Sequence, residues 1–168
     1  MPLSMYRASA PVFLQMLPCL SAVLDKASAH AAAKKIDPQV FLDARLYPDM
    51  FPLTRQVQIA TDFAKGACAR LAGVEPPKYA DVEKSIDELK ARIAKTIAFI
   101  EEFKPSQIDG SEERDISLTL GGQLQTFKGE AYLIGLVLPN FFFHVTTAYA
   151  ILRHSGVPLG KMDFLGRA

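Results

Sequence analysis

The chain has 168 residues, of which 49% are hydrophobic and 22% are charged, as is usual for one globular domain. Its 19 basic and 18 acidic residues give a net charge of +1, so no broad positive surface is available for nucleic acid. We therefore expect a single soluble domain over residues 1–168, without a nucleic-acid partner.

The first predicted element is a helix that carries a heptad-like apolar stripe. The stripe consists of Tyr6, Ala10, Phe13, Leu17, Leu20, Leu24 and Ala27, at alternating spacings of four and three residues. Ser4 is a suitable cap for its start, and Pro18 inside the pattern predicts a kink. The helix is expected to end before Asp37-Pro38.

Two further stripes predict the second and third long helices, after a short helix that follows Pro38. The second stripe consists of Leu53, Val57, Ala60, Ala64, Ala67 and Leu71 and ends at Gly73. The third consists of Val82, Ile86, Leu89, Ile93, Ile97 and Ile100, and Pro105 is expected to stop it.

The last third of the chain changes period and then becomes helical again. Apolar residues at 116, 118 and 120 alternate with polar ones before the pair Gly121-Gly122, which predicts a small β-hairpin. The largely apolar segment 132–155 predicts a fourth helix, closed by Gly156. The sequence thus predicts an all-α, antiparallel four-helix bundle with a β-hairpin between helices three and four.

The cysteine pattern and the N-terminus favour the cytoplasm. Cys19 and Cys68 lie inside helical patterns and form no C-x-x-C motif, so we expect buried free thiols, with a disulfide between neighbouring helices as the alternative. The start MPLSMYRASAP lacks the apolar run of a signal peptide. The longest apolar patch, 132–143, is interrupted by Pro139 and predicts no membrane span.

His144 is the histidine of most interest, because it shares an apolar helical face with Phe141, Ala148 and Ile151. Asn140 stands one turn before it on the same face. A core histidine that is satisfied by a hydrogen bond would have the same pattern. His30 and His154 are expected at the surface.

The segment PNFFFHVTTAYAILRHSGVPLGKMDFLG, residues 139–166, resembles the end of proteins in the DinB/YfiT-like superfamily. Those proteins are four-helix bundles that are often described as metal-dependent enzymes. A branch known only as a domain of unknown function has strings similar to SMYRASAPVF, DMFPLTRQVQIA and LPNFFFHVTTAYAILRHSGVPLGK. This resemblance covers nearly the whole chain. It implies the same fold and a homodimer.

The resemblance also implies where a metal would bind. Metal-binding members use three histidines for nickel or zinc, one from helix two and two from helix four. Here Gln58 and Asn140 stand at two of those positions, and His144 alone remains. An amide oxygen is a poor ligand for these metals, and a catalytic zinc normally has three protein ligands. Asp49 or Asp62 could add a ligand if it points inward.

Two functions follow from this reading, and whether the chain is an enzyme stays open. The first is a metal-free small-molecule-binding or stress-related bundle, whose ligand is oriented by Gln58, Asn140 and His144, with His144 as the general base. The candidate rim residues are Arg55, Gln56, Tyr149 and Arg153. The second is a metal-dependent enzyme of the DinB-like kind, a thiol-dependent transferase or isomerase, or a hydrolase. The missing histidines favour the first, although the polar cluster could also only fix the register of two helices.

Overall fold

A computed structural model describes residues 3–167, and most of them are helical. Its long helices are α1 (Ala10–Lys34), α3 (Leu53–Leu71), α4 (Ile86–Glu101) and α7 (Leu138–His154). Its short helices are α2 (Gln39–Asp43), α5 (Pro105–Ile108), α6 (Gly129–Ala131) and α8 (Lys161–Leu165). A π-helical turn, Tyr132–Val137, joins α6 to α7. The mostly helical fold predicted from the sequence is confirmed.

The strands β1 (Asp115–Leu120) and β2 (Gln123–Lys128) form a two-stranded antiparallel sheet. The register places Leu120 opposite Gln123, so the loop consists of two glycines. Gly121 has a φ of 56° and Gly122 a φ of 80°, in the left-handed region that this tight turn needs. The small sheet predicted from the alternation is confirmed.

Two helix starts differ from the prediction. Helix α1 begins at Ala10. Ser4 instead caps the preceding turn, where its Oγ accepts a hydrogen bond from Arg7 N (3.3 Å). Helix α4 begins at Ile86, where Ser85 Oγ accepts from the backbone N–H three residues on (3.1 Å). Val82 therefore precedes the helix and is 68% exposed, and its assignment to the buried face was wrong.

The fourth long helical segment runs through Pro139 without a break, from Gly129 to His154. The π-helical turn explains this, because Leu138 N donates to the carbonyl of Leu133, five residues back. Pro139 then occupies the first turn of α7, where a proline is tolerated. The continuous helix is longer than the apolar patch considered in the sequence.

The core forms where α3 packs against α7 and α4, and α1 against α4. Phe13 of α1 and Phe141 of α7 are fully buried and make an edge-to-face pair with ring centroids 4.9 Å apart. Other fully buried side chains are Leu17, Leu24, Phe41, Leu53, Leu71, Leu89, Ile93, Ile100 and Tyr132. The contact between α3 and α7 brings the candidate site residues together.

Two helical stretches, Ala10–Lys34 and Gly129–His154, have the length and the apolar composition that could cross a membrane. This is weak evidence for a span, because the core helices of a soluble protein meet the same criteria. Cys19 and Cys68 are buried free thiols, as predicted. Burial raises the pKa of the Cys68 thiol to about 12, so it is not a thiolate at neutral pH.

Candidate ligand pocket

His144 of α7 is 8% exposed and is held by a glutamine of α3. Its Nδ1 lies 2.7 Å from Gln56 Oε1. The Gln56 amide is oriented in turn, because its Nε2 donates to the carbonyl of Phe51 (3.0 Å). An amide oxygen can only accept, so the neutral His144 ring carries its proton on Nδ1. Its Nε2 is left with a lone pair.

The Nε2 atom of His144 faces open space. Among residues 3–167 it has no hydrogen-bond partner. It is also not a fully buried atom, so it is accessible. Beside it is a cavity of about 460 Å³, here called the His144 pocket. The lining residues are Asp49, Met50, Phe51, Gln56, Asn140, Phe143 and His144. Asn140 Nδ2 donates to the carbonyl of Leu136 (2.7 Å), which leaves its Oδ1 as a second accessible acceptor.

The surroundings of His144 favour the neutral ring. Burial lowers its pKa below the ordinary value of 6.5, and the positive charge of Arg55 lowers it further. Phe63 lies nearly parallel to the ring, with centroids 6.2 Å apart, and Phe143 meets it edge-on at 5.2 Å. At pH 7 His144 is thus a neutral hydrogen-bond acceptor and has the protonation state of a general base.

We expect nuclear magnetic resonance (NMR) spectra of ¹⁵N-histidine-labelled protein to show His144 protonated on Nδ1 at pH 7 and titrating below pH 6.5. Because the unfolded chain binds this proton first as the pH falls, His144 also lowers the free energy of unfolding below pH 6.5. In the Gln56→Leu variant the acceptor is lost, and the Nε2-protonated form should appear. A wild-type ring protonated mainly on Nε2 would contradict this assignment.

Gln58, the residue assigned to this site from the resemblance, is buried elsewhere. Its Nε2 donates to Glu83 Oε2 (2.9 Å) and its Oε1 accepts from Arg55 Nη1 (3.2 Å). Residues two apart on a helix point to different sides, so Gln56 and Gln58 cannot both face α7. In the structure the contact with His144 is made by Gln56, which the sequence had suggested only as a rim residue.

Tyr149, the other assigned ligand residue, does not line the His144 pocket. Its ring contacts Phe164 of α8, with centroids 6.0 Å apart, and it lines a small cavity beside Cys19 and Val145. Tyr149 is five positions after His144, so the two side chains leave α7 in different directions. Asn140 and His144, in contrast, lie together as expected.

The loop before α3 supplies pocket residues that were not among the candidates predicted from the sequence. Met50 and Phe51 line the His144 pocket, and Phe51 is 55% exposed. Met50 and Phe143 also line a neighbouring cavity of about 450 Å³, so the two cavities adjoin each other. Exposed apolar side chains in a loop were the available signal, because such patches often mark binding sites.

The residues present do not fit the three-histidine metal centre that the resemblance implies. His144 Nδ1 is hydrogen-bonded to Gln56 Oε1, so this nitrogen is not free to bind a metal. Gln58 contacts Glu83 on another side of α3. Within residues 3–167 no three His, Cys, Asp or Glu side chains are grouped so that they could hold a metal ion. Two of the residues that line the His144 pocket carry groups that can bind a metal: the carboxylate of Asp49 and the imidazole of His144.

These features define a class of protein: a mostly helical domain in which a neutral histidine lines a pocket between two core helices. The chain belongs to the family described as Domain of unknown function (DUF1993), whose model matches residues 5–165. It is similar to a DinB family member protein from Shewanella denitrificans, known from a crystal structure. The two chains are 41% identical, with a TM-score of 0.87, over 96% of this chain and 91% of that one. No curated protein has a matching sequence. The resemblance to DinB-like proteins is thereby confirmed.

Proposed function

We propose that this DinB-like chain is a four-helix bundle that binds a small molecule in the His144 pocket without a metal. The observation that carries the proposal is that His144 and Asn140 line the same pocket, and that the described part of the chain gives His144 Nε2 and Asn140 Oδ1 no hydrogen-bond partner. A site that offers acceptors selects ligands that donate, such as alcohols, phenols or amines. Met50, Phe51 and Phe143 supply apolar walls for the body of the ligand.

The pairing of His144 with Gln56 supports a binding role in a further way. A neutral ring with a fixed tautomer is pre-organised, so a ligand donor meets an acceptor that needs no rearrangement. The same Nε2 could accept a proton from a bound hydroxyl or thiol, which is the role of a general base. A stress-related binding protein and an enzyme that uses His144 would share this geometry.

The first experiment compares phenol with anisole, its methyl ether, by the ¹⁵N resonances of His144. We expect phenol to produce a saturable shift of Nε2, and anisole, which lacks the donor, to produce none. Catechol, whose second hydroxyl can donate to Asn140 Oδ1, should bind about tenfold more weakly to Asn140→Leu, since a lost hydrogen bond of this kind costs roughly 1–1.5 kcal/mol. The matched control is His154→Leu, which replaces an exposed histidine of the same helix. Equal shifts with both compounds, or none with phenol, benzyl alcohol and aniline, would overturn the proposal.

A metal-dependent enzyme is the second candidate, and the shared pocket of Asp49 and His144 is the observation that favours it. Elemental analysis of untagged protein, purified without chelators and incubated with nickel, zinc and manganese, separates the two candidates. We expect far less than one metal per chain. A stoichiometric metal that is lost in His144→Ala and retained in His154→Ala would instead support the metal-dependent enzyme.

The proposal also includes a cytoplasmic location and a homodimer. The two buried free thiols suit a reducing compartment. Exposed apolar side chains near the pocket, Leu46, Tyr47, Phe51 and Phe143, suit a surface that a second copy covers in part. Sedimentation equilibrium of the full chain tests the dimer, and a monomer mass at micromolar concentration would reject it.

A further inference from the structure

A second cavity lies beside α3, and no residue of the His144 pocket lines it. Its volume is about 270 Å³, and its walls come from α3, from β1 and from the π-helical turn. Three polar groups on these walls are donors of hydrogen bonds: Lys65, Arg70 and Tyr132. This space is called the Arg70 cavity below.

Arg70 lies flat against its own helix at the edge of this cavity. Its Nη1 donates to the hydroxyl of Tyr132 (3.1 Å). A Cβ at Gly66, one turn earlier, would be only 2.5 Å from Nη1, so the glycine makes room for the guanidinium. Among residues 3–167 Arg70 forms no ion pair with a carboxylate. Most of its five N–H donors thus have no protein partner.

The Tyr132 hydroxyl adds a second donor. Tyr132 is 1% exposed, and its oxygen already accepts from Arg70. Burial raises the pKa of Tyr132, so the hydroxyl keeps its proton at neutral pH. No side chain or carbonyl in the described part of the chain accepts that proton. Arg70 and Tyr132 together present adjacent donors to the same cavity.

The charges around the cavity leave an excess positive charge. Asp62 also lines it, but its Oδ1 lies 2.9 Å from Lys65 Nζ and 2.8 Å from Arg92 Nη2. The carboxylate is therefore compensated, and Arg70 remains as the cation without an acidic partner. The rest of the wall is largely apolar and consists of Phe63, Pro76, Leu118 and Leu120.

We propose that the Arg70 cavity binds a small organic carboxylate. Its two oxygens accept hydrogen bonds from the Arg70 guanidinium and the Tyr132 hydroxyl, because the planar guanidinium matches the geometry of a carboxylate. Its apolar body packs against Phe63 and the hairpin residues Leu118 and Leu120. The volume suits a small aromatic or branched aliphatic acid. This site is separate from the His144 pocket and does not depend on the function proposed for it.

The probe is sodium benzoate, titrated at low ionic strength into wild-type protein labelled with ¹⁵N-arginine. We expect a saturable shift of the Arg70 Nε resonance. Benzamide has the same shape without the charge and should leave Arg70 unchanged. Equal responses to benzoate and benzamide, or no response of Arg70 to benzoate, acetate and isobutyrate, would overturn the proposal.

Variants then separate a specific site from general attraction of anions. Arg70→Met should weaken benzoate binding at least tenfold, and Tyr132→Phe should weaken it several-fold while the charge remains. Arg7→Met, which removes an exposed arginine, is the matched control and should bind like wild type. Circular dichroism confirms that each variant is folded. If Arg70→Met is unfolded, Arg70→Lys replaces it and should also weaken binding. Unchanged affinity in the folded Arg70 variant would reject the site.

Discussion

Replacing Arg92 with alanine is expected to lower the free energy of unfolding by about 3–5 kcal/mol, the usual cost of breaking a buried ion pair. The Arg92 side chain is 2% exposed and binds three carboxylates: Asp62 (2.8 Å), Asp81 (3.0 Å) and Glu83 (3.0 Å). Its Nε donates to Thr61 Oγ1 (2.7 Å). This group, the Arg92 cluster, joins α3, the connection before α4, and α4 itself. Alanine would leave the partly buried Glu83 without its cation.

Urea denaturation at pH 7 measures this loss. The matched control is Lys90→Ala, a change in the same helix as Arg92. It removes a solvent-exposed ion pair with Asp25 and should hardly change the urea midpoint of unfolding. A double-mutant cycle that combines Arg92→Met with Glu83→Gln isolates the coupling between the two charges. Similar midpoints for Arg92→Ala and Lys90→Ala would show that the Arg92 cluster contributes little to stability.

The cost of losing Arg92 should depend on pH in a defined direction. Burial opposes the charge of Glu83, but hydrogen bonds from Arg92 and Gln58 outweigh it and hold the pKa of that carboxyl below its ordinary value of 4.5. A lowered pKa in the folded state stabilises the protein above pH 4.5, and this stabilisation is lost as the pH falls through the folded pKa. The difference between wild type and Arg92→Ala should therefore be largest near neutral pH. It should shrink in acid, where Glu83 is protonated.

The sequence was sufficient to predict a mostly helical fold and a small antiparallel sheet, because apolar periodicity reports which face of an element is buried. The stripe from Leu53 to Leu71 matches α3, and the alternation before Gly121-Gly122 matches the sheet. Helix starts are less certain from periodicity, since an apolar residue such as Val82 continues the pattern outside the helix. The spacing of Ser85 and Glu88 carried the better signal, because the serine caps the N–H three residues on.

The candidate site could be predicted only in part, for a geometric reason. Asn140 and His144 are one turn apart on one helix, so their shared face follows from sequence alone. The partner on α3 depends on how α3 is rotated against α7, and this rotation is set by packing that no local pattern encodes. Gln56 and Gln58 are both buried, yet they face different partners, His144 and Glu83. Burial alone therefore could not identify the residue that contacts the histidine.

A methyl group at position 129 should destabilise the protein strongly, by about 3 kcal/mol or more, because it would overpack a site enclosed by backbone. Gly129 is buried where β2 meets α6, and a Cβ there would lie 2.0 Å from the carbonyl oxygen of Ser111. Neighbouring Glu130 N donates to the carbonyl of Glu112 (3.0 Å), so the two segments cannot separate without losing that bond. We expect Gly129→Ala to lower the melting temperature by roughly 6–12 °C, at about 2–4 °C per kcal/mol for a chain of this size.

Gly135→Ala is the matched control, because Gly135 lies in the adjoining π-helical turn and a Cβ there would meet no atom within 4 Å. Alanine at such an exposed helical position should be neutral or stabilising by up to about 1 kcal/mol. Each variant adds the same single methyl group to the wild-type protein. Scanning calorimetry of the two variants therefore compares the two environments directly. A melting temperature for Gly129→Ala equal to that of Gly135→Ala would mean that the segment at Ser111 moves away from α6 at little cost. The close contact between Gly129 and Ser111 would then contribute little to the stability of the fold.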